Sequence, residues 1–438
     1  GNTAFTAQAG KPYLLNKEGN TLALVAPGVK GVFELTDSKV TAIGTGAFSG
    51  NRQITAVKMP QVTVVGSYAF ADLRNLETLT LGKLTSVGSH AFYHTAIKTT
   101  PDLTGVSVIG DYAFAHSGLE SVTIPDGVTI GESSFRECKS LRSVKIGSNV
   151  VVGDSAFRLD VDTNFTASSY KAGDYTLYYY ILTSPMTELT IGENATIGHS
   201  AFFGASKLES VTLGKGAVIG DFAFYNNDSL KNMDLSGVIS VGDSAFSCDM
   251  LAMFTNSAMT VQAYDENGNY IYRFYAADLE SVDLESATSI GDNAFAQCRL
   301  LKSVKLGAGV THIPEQAFFY CTNLTDFDFA DVVSIGSNAF NNTALNNPDL
   351  SHVETIGKYA FAFTKLTEVT IPDGMTIAEG TFSECMELEA VTIGNDVTIG
   401  SYAFYDCLSL KNVTLYNENT QLGETALGIY PVDRRTDD

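Results

Sequence analysis

The chain of 438 residues contains no Trp, only 6 Cys and 10 Pro, and 27 basic residues against 49 acidic ones. Each shortage excludes something. A formal charge of −22 repels the phosphate backbone of nucleic acid and an anionic lipid surface. No apolar run approaches the ~18 to 20 residues that span a bilayer, the longest being near Leu22 to Val25 and Tyr178 to Leu182. With 45% apolar and 17% charged residues, the composition is not that of a disordered chain. The sequence begins Gly1-Asn2-Thr3, without an initiator Met or an apolar leader, and reads as a chain from which any targeting segment has been removed. Against these shortages stand 39 Gly, about 9% where ~7% is usual, and 26 Phe. That bias points to one short pattern copied many times.

The pattern is Gly-x-x-Ala-Phe. It aligns Phe48, Phe70, Phe92, Phe114, Phe135, Phe157, Phe202, Phe224, Phe246, Phe295, Phe318, Phe340, Phe361, Phe382 and Phe404. Most neighbours are 21 to 23 residues apart, with intervals of 45 (Phe157 to Phe202) and 49 (Phe246 to Phe295) marking insertions. A degraded sixteenth copy runs from Leu422 to Leu427. In the unit from Leu119 to Phe135, Leu119, Val122 and Ile124 point inward while Ser121 and Thr123 alternate outward, which is a short strand. Pro125-Asp126-Gly127 turns the chain, Val128 and Ile130 form a second apolar edge, and Gly131 permits a tight corner or a close coil contact. Identical positions in successive coils then lie ~4.8 Å apart, so the Phe rings should stack into a spine. A single coil cannot bury its own apolar edge, which is why the unit recurs. The block from Pro101-Asp102-Leu103 through Phe157 also recurs from Pro348-Asp349-Leu350 through Phe404, at a constant offset of 247.

This unit resembles the BspA-type leucine-rich repeats of bacterial surface proteins, which read like Leu-x-x-Val-x-Ile-Pro followed by Ile-Gly-x-x-Ala-Phe-x-x-Cys. Ile371-Pro372-Asp373-Gly374 leading to Ala403-Phe404-Tyr405-Asp406-Cys407 matches it nearly verbatim. Departures are local: Pro314 and Ala378 at the Gly position, Ser134 and Thr381 at the Ala position. The expected fold is a β-rich, right-handed leucine-rich-repeat solenoid of about 16 coils with a parallel sheet. The domains read as an N-terminal cap over residues 1–40, a solenoid over 41–428, and a polar tail over 429–438. The resemblance implies a secreted or surface-anchored protein that recognises host or neighbouring-cell macromolecules, with adhesion the recurring proposal for the family.

Insertions at 158–185 and 247–278 enter at the same place in the unit, just after the Phe. Together they hold nine of the 20 Tyr in 60 residues, an enrichment of more than threefold. The second reads as a hairpin about Asn267-Gly268. Tyr offers a rigid amphipathic face at low entropic cost, which suits protein recognition and sugar stacking alike. Tyr175, Tyr178, Tyr180, Tyr264, Tyr270, Tyr272 and Arg273 are therefore the candidate partner-binding residues, for an extracellular protein or a glycan. The competing reading is that these rings only pin two hairpins to the solenoid edge, and a passive scaffold is the third possibility.

The remaining chemistry is sparse. Cys138, Cys298, Cys321, Cys385 and Cys407 each fall three residues after a spine Phe, with Cys248 two after it, and read as buried thiols in a ladder rather than disulfides. A column of Asp72, His94, His116 and Glu137 offers metal-ligand chemistry but reads better as solvated edge residues. Asp160-Val-Asp162-Thr-Asn164 starts like a calcium loop and then fails, with Lys171 where the bidentate Glu belongs. The outward strand column turns acidic at Asp234, Asp283 and Asp328 despite Lys305. No nucleophile elbow, phosphate loop, zinc protease helix or dinucleotide fingerprint occurs, so no catalytic residue and no cofactor is expected.

Overall fold

The computed structural model describes residues 5, 10–159, 184–227, 229–247, 278–416 and 420–428, and the backbone alone at 6–7, 168–172, 175–179, 263–264 and 270–271. These residues form strands and turns, with no helix among them. They fall into two compact units, one of Gly1–Met233 with Ala258–Tyr272, the other of Asp234–Ser257 with Arg273–Asp438. Each unit is a parallel β-solenoid, as the repeat requires.

Most coils contribute to two parallel ladders. In the first unit a four-residue strand such as Ser121–Ile124 pairs in register with Ser143–Ile146, and a two-residue strand such as Thr129–Ile130 pairs with Val151–Val152. The alternation expected for the long strand is present, with Val122 and Ile124 buried and Ser121 and Thr123 exposed. The second unit repeats the arrangement at Glu368–Ile371 with Ala390–Ile393 and Thr376–Ile377 with Thr398–Ile399. The long-strand ladder is interrupted where Pro101 and Pro348 stand. Thr99 keeps a single bridge to Ser121, and between Asp326–Phe327 and Glu368–Ile371 no long strand forms among the described residues. A proline offers no N–H to such a ladder.

The first unit opens with three antiparallel strands, Phe5–Ala7, Tyr13–Asn16 and Thr21–Val25, the last of which runs parallel to Ala42–Ile43. Phe33 meets Phe48 edge-on at 5.2 Å and Tyr13 meets Phe33 at 6.1 Å, so two crossed rings end the spine.

The spine itself is continuous within each unit. From Phe48 to Phe224 successive ring centroids lie 4.8–5.4 Å apart, tilted by at most 25°. From Phe246 to Phe404 they lie 5.2–5.6 Å apart, tilted by at most 13°. Burying one such ring stabilises by about 1.5–3 kcal/mol, and an aromatic pair adds ~0.5–1.5 kcal/mol beyond that area term.

The corner around each Phe is built differently from the sequence expectation. Gly131 is needed for close approach, since a Cβ there would lie 2.5 Å from Asp111 Oδ1 and 2.8 Å from the Asp111 nitrogen, yet its φ is not positive. The left-handed positions are instead two residues before and two residues after the Phe, and non-glycine residues fill most of them. Tyr68 (φ 57°) and Asp72 (φ 61°) flank Phe70; Tyr112 (φ 54°) and His116 (φ 56°) flank Phe114. Ala69 N–H donates to Gly66 O at 3.3 Å and Leu73 N–H to Phe70 O at 3.3 Å, closing two successive turns with positive φ at their third residue. Between them the Phe amide is free to reach the next coil: Phe70 donates to Ala91 O (2.8 Å), Phe92 to Ala113 O (2.7 Å), Phe114 to Ser134 O (2.7 Å).

The residue three after the Phe is a buried hydrogen-bonding column. Thr95 and Thr364 donate their hydroxyls to the carbonyls of Phe92 (2.8 Å) and Phe361 (2.7 Å). Cys138, Cys321, Cys385 and Cys407 donate their thiols to the Phe carbonyl of the preceding coil at 3.2 Å. All five described cysteines are buried thiols outside any disulfide, as read from the ladder position, and burial pushes the Cys138 thiol up to about 11. Cys248 lies outside the described residues.

Phe114 sits mid-spine with a ring on either side. Phe114→Ala should cost about 3–5 kcal/mol by loss of burial and the cavity left behind, read as a lowered urea midpoint, with Phe114→Leu costing less than half as much.

Candidate recognition surface

The first insertion leaves both ladders in register, and the second leaves the short ladder in register. Across the first, Ser143–Ile146 pairs residue for residue with Glu188–Ile191, and Val151 with Thr196. Across the second, Ser240 pairs with Ser289 and Val241 with Ile290. The root of the first is fastened to the following coil. Leu159 N–H donates to Phe203 O (3.3 Å), Ser184 N–H to Ser206 Oγ (3.4 Å), and the Arg158 guanidinium lies 4.4 Å from the Phe203 ring centre.

Each insertion holds an antiparallel strand pair. In the first, Ser168–Ala172 pairs with Tyr175–Tyr179, Ala172 opposite Tyr175 and Ser169 opposite Tyr178, which leaves only Gly173 and Asp174 between the strands. In the second, Tyr264 stands opposite Tyr270 and Ala263 opposite Ile271. The expected Asn267-Gly268 turn lies between these strands, outside the described residues. Of the candidate residues, Tyr175, Tyr178, Tyr264 and Tyr270 stand in these strands, whereas Tyr180, Tyr272 and Arg273 lie outside the described residues, as do Asp160 to Asn164.

The His column forms as a column. His94 Nδ1 lies 3.2 Å from Asp72 Oδ1 and 3.4 Å from Arg74 Nη2, and the His94 and His116 rings meet at 4.6 Å, nearly perpendicular. It is not uniformly a solvated edge. Asp72 is 48% exposed and His94 27%, but the Glu137 side chain is only 4% exposed, with Lys139 Nζ 3.5 Å from its Oε2. Nor do its ligands converge: among the described residues no group of three or more His, Cys, Asp or Glu is placed to hold a metal ion. Burial, followed by the neighbouring His94, holds the His116 imidazole below its ordinary value.

On the long strands of the second unit, Ser281, Asp283, Ser303, Lys305, Asp326 and Asp328 line an open cavity of ≈ 420 Å³. Lys305 partly neutralises it, its ammonium 3.4 Å from Asp283 and 2.9 Å from Glu285.

A feature that sequence reading passed over lies beside the His column. Tyr68, His90 and Tyr112, each two residues before a spine Phe, stack on one another, and Tyr93 bridges them to His94. The signal was available in the alignment as three consecutive rings in one column.

A model of the BspA type leucine rich repeat region matches residues 38–162, 173–266, 269–389 and 375–428. A leucine-rich repeat protein from Bacteroides ovatus is similar in structure at 22% identity, covering 95% of this chain and 97% of its own, with a TM-score of 0.51. A leucine rich cell surface protein from Faecalibacterium prausnitzii is similar at 17% identity over 94% of this chain and 86% of its own, with a TM-score of 0.27. No curated protein matches.

Because the folded value of His116 is depressed, the unfolded chain binds the proton more readily. Stability from this group is complete above the unfolded value of about 6.5 and falls as pH drops through and below it. Urea midpoints measured from pH 8 to pH 5 should decline, and His116→Asn, which tolerates the left-handed backbone, should flatten that decline.

Proposed function

The chain belongs to the BspA-type leucine-rich repeat family, and from that premise we propose that it is an adhesin-like recognition protein of the cell surface or secreted space, contacting host or neighbouring-cell proteins through its two Tyr-rich insertions. The concentration of nine Tyr in 60 residues carries the reading. The coils that flank the first insertion pair in both ladders as though nothing intervened, and those that flank the second keep the register of the short ladder. A segment that contributes nothing to register is spare for display, and loops held on a rigid scaffold are where binding residues concentrate. Paired strands give the Tyr-bearing segments a defined backbone, which lowers the ordering cost of association.

The charge balance favours the same kind of partner. A chain at −22 with no helix long and apolar enough to cross a membrane among its described residues meets other macromolecules from the aqueous side. No cofactor or catalytic group enters this reading. A passive scaffold within a surface assembly is the outcome to which failure of the binding test would point.

The full chain should bind at least one member of an immobilised extracellular-matrix protein panel in biolayer interferometry. Removing residues 160–183 and 248–277 should abolish that binding while leaving the urea transition of the coils in place. Tyr178→Ala should weaken it at least tenfold, the behaviour of an aromatic hot spot. Binding that survives removal of both insertions would contradict the assignment of the site.

A further inference from the structure

The position two residues before each spine Phe is left-handed in every described coil, and Gly, Ser, Asn, Gln or Thr fill most of them. A bulky side chain there is unfavourable by roughly 1–2 kcal/mol. Three consecutive coils of the first unit nevertheless carry rings: Tyr68, His90 and Tyr112, with φ of 57°, 57° and 54°. The rings lie nearly parallel, 4.5 Å apart and 12° tilted for the first pair, 4.9 Å and 13° for the second. Tyr93 extends this surface sideways, 5.4 Å from His90 and 4.2 Å from His94. His94 in turn meets Asp72 and Arg74. The result is one aromatic surface with a hydrogen-bonding margin.

The two ends of the stack differ. Beyond Tyr112 the next residue in the column is Ser133, fully buried. Before Tyr68 it is Gly46, itself left-handed at φ 62°, where a Cβ would meet nothing within 4 Å. Tyr68 is 49% exposed. The last ring of the stack thus turns one face toward a glycine ledge, with room for another flat ring at the spacing of the ladder. The second unit shows what a covered ledge looks like. Gly380 holds the same position there, and a Cβ on it would run into the Tyr359 ring.

We propose that Tyr68 over Gly46 is a stacking subsite for a pyranose ring of a glycan. A pyranose has an aliphatic C–H face that packs flat on an aromatic ring, and its rim carries hydroxyls that need both donors and acceptors. Asp72 supplies the acceptor and Arg74 the donor, their side chains 48% and 71% exposed on the coil of Tyr68. An aromatic side chain of a protein partner would leave that polar margin unused. The subsite is separate from the insertions and does not depend on them.

The test is binding of the full chain to an array of glycans built from β-linked glucose, galactose and N-acetylhexosamine, followed by saturation-transfer NMR on the sugars bound. Ring C–H protons should receive saturation. Gly46→Tyr adds a fourth ring to the stack, occupies the ledge and removes no platform residue, so it should reduce binding at least tenfold while the urea midpoint falls only by the roughly 1–2 kcal/mol of the left-handed backbone. Tyr68→Ala, which removes the platform instead, should do the same. Tyr402→Ala, in the equivalent column of the second unit, and removal of both insertions should leave glycan binding intact. Absence of pyranose binding on the array, or undiminished binding by both Gly46→Tyr and Tyr68→Ala, would overturn the proposal.

Discussion

The hydrogen bond from each spine Phe amide to the carbonyl one coil further on is the interaction on which the rest of the structure depends. For Phe114 it reaches Ser134 O at 2.7 Å, and it exists only because the chain reverses sharply on both sides of the Phe, at Tyr112 and at His116. That double reversal points the ring into the coil and the backbone along the axis. Ring stacking at 4.8–5.2 Å, the buried thiols on Phe carbonyls and the two parallel ladders share the same translation from coil to coil. A coil alone could satisfy none of these groups.

Freedom is confined by that constraint to what happens between one Phe turn and the next long strand. The insertion after Phe157 adds residues there and the ladders close over it without a slip. The left-handed positions are the second place where variation is tolerated, because only their backbone is prescribed. Ser155, Asn293 and Tyr402 all serve. Surface chemistry can therefore change from coil to coil while the core remains a single repeated packing, which suits a protein whose task is recognition.

Much of this was legible in the amino-acid sequence because the core repeats. Val122 and Ile124 announced a strand, Phe135 a spine position, and Cys138 a buried ladder site, and the fold places each of them so, while Leu119 is buried just ahead of the strand Ser121–Ile124. The left-handed corners were not legible, since Tyr68 and Asp72 carry no glycine to mark them and only the backbone reveals the turn. Glu137 looked like an edge residue because its column begins with exposed Asp72, yet its side chain is only 4% exposed. The candidate recognition residues were legible only as an excess of Tyr. Composition identifies such an excess but not the direction in which a ring faces, and four of the seven are placed by backbone pairing alone.

Native-state amide hydrogen exchange tests the central claim most directly. If the Phe-to-carbonyl bonds hold the coils together, the amides of the interior spine residues Phe92, Phe114, Phe135, Phe318, Phe340 and Phe361 should be the slowest in their units. They should exchange only through opening of the whole unit and slow together as stability rises. Spine amides that exchange as fast as exposed turn amides such as Gly127, while the long-strand amides stay protected, would show that the sheets rather than the Phe turns carry the fold.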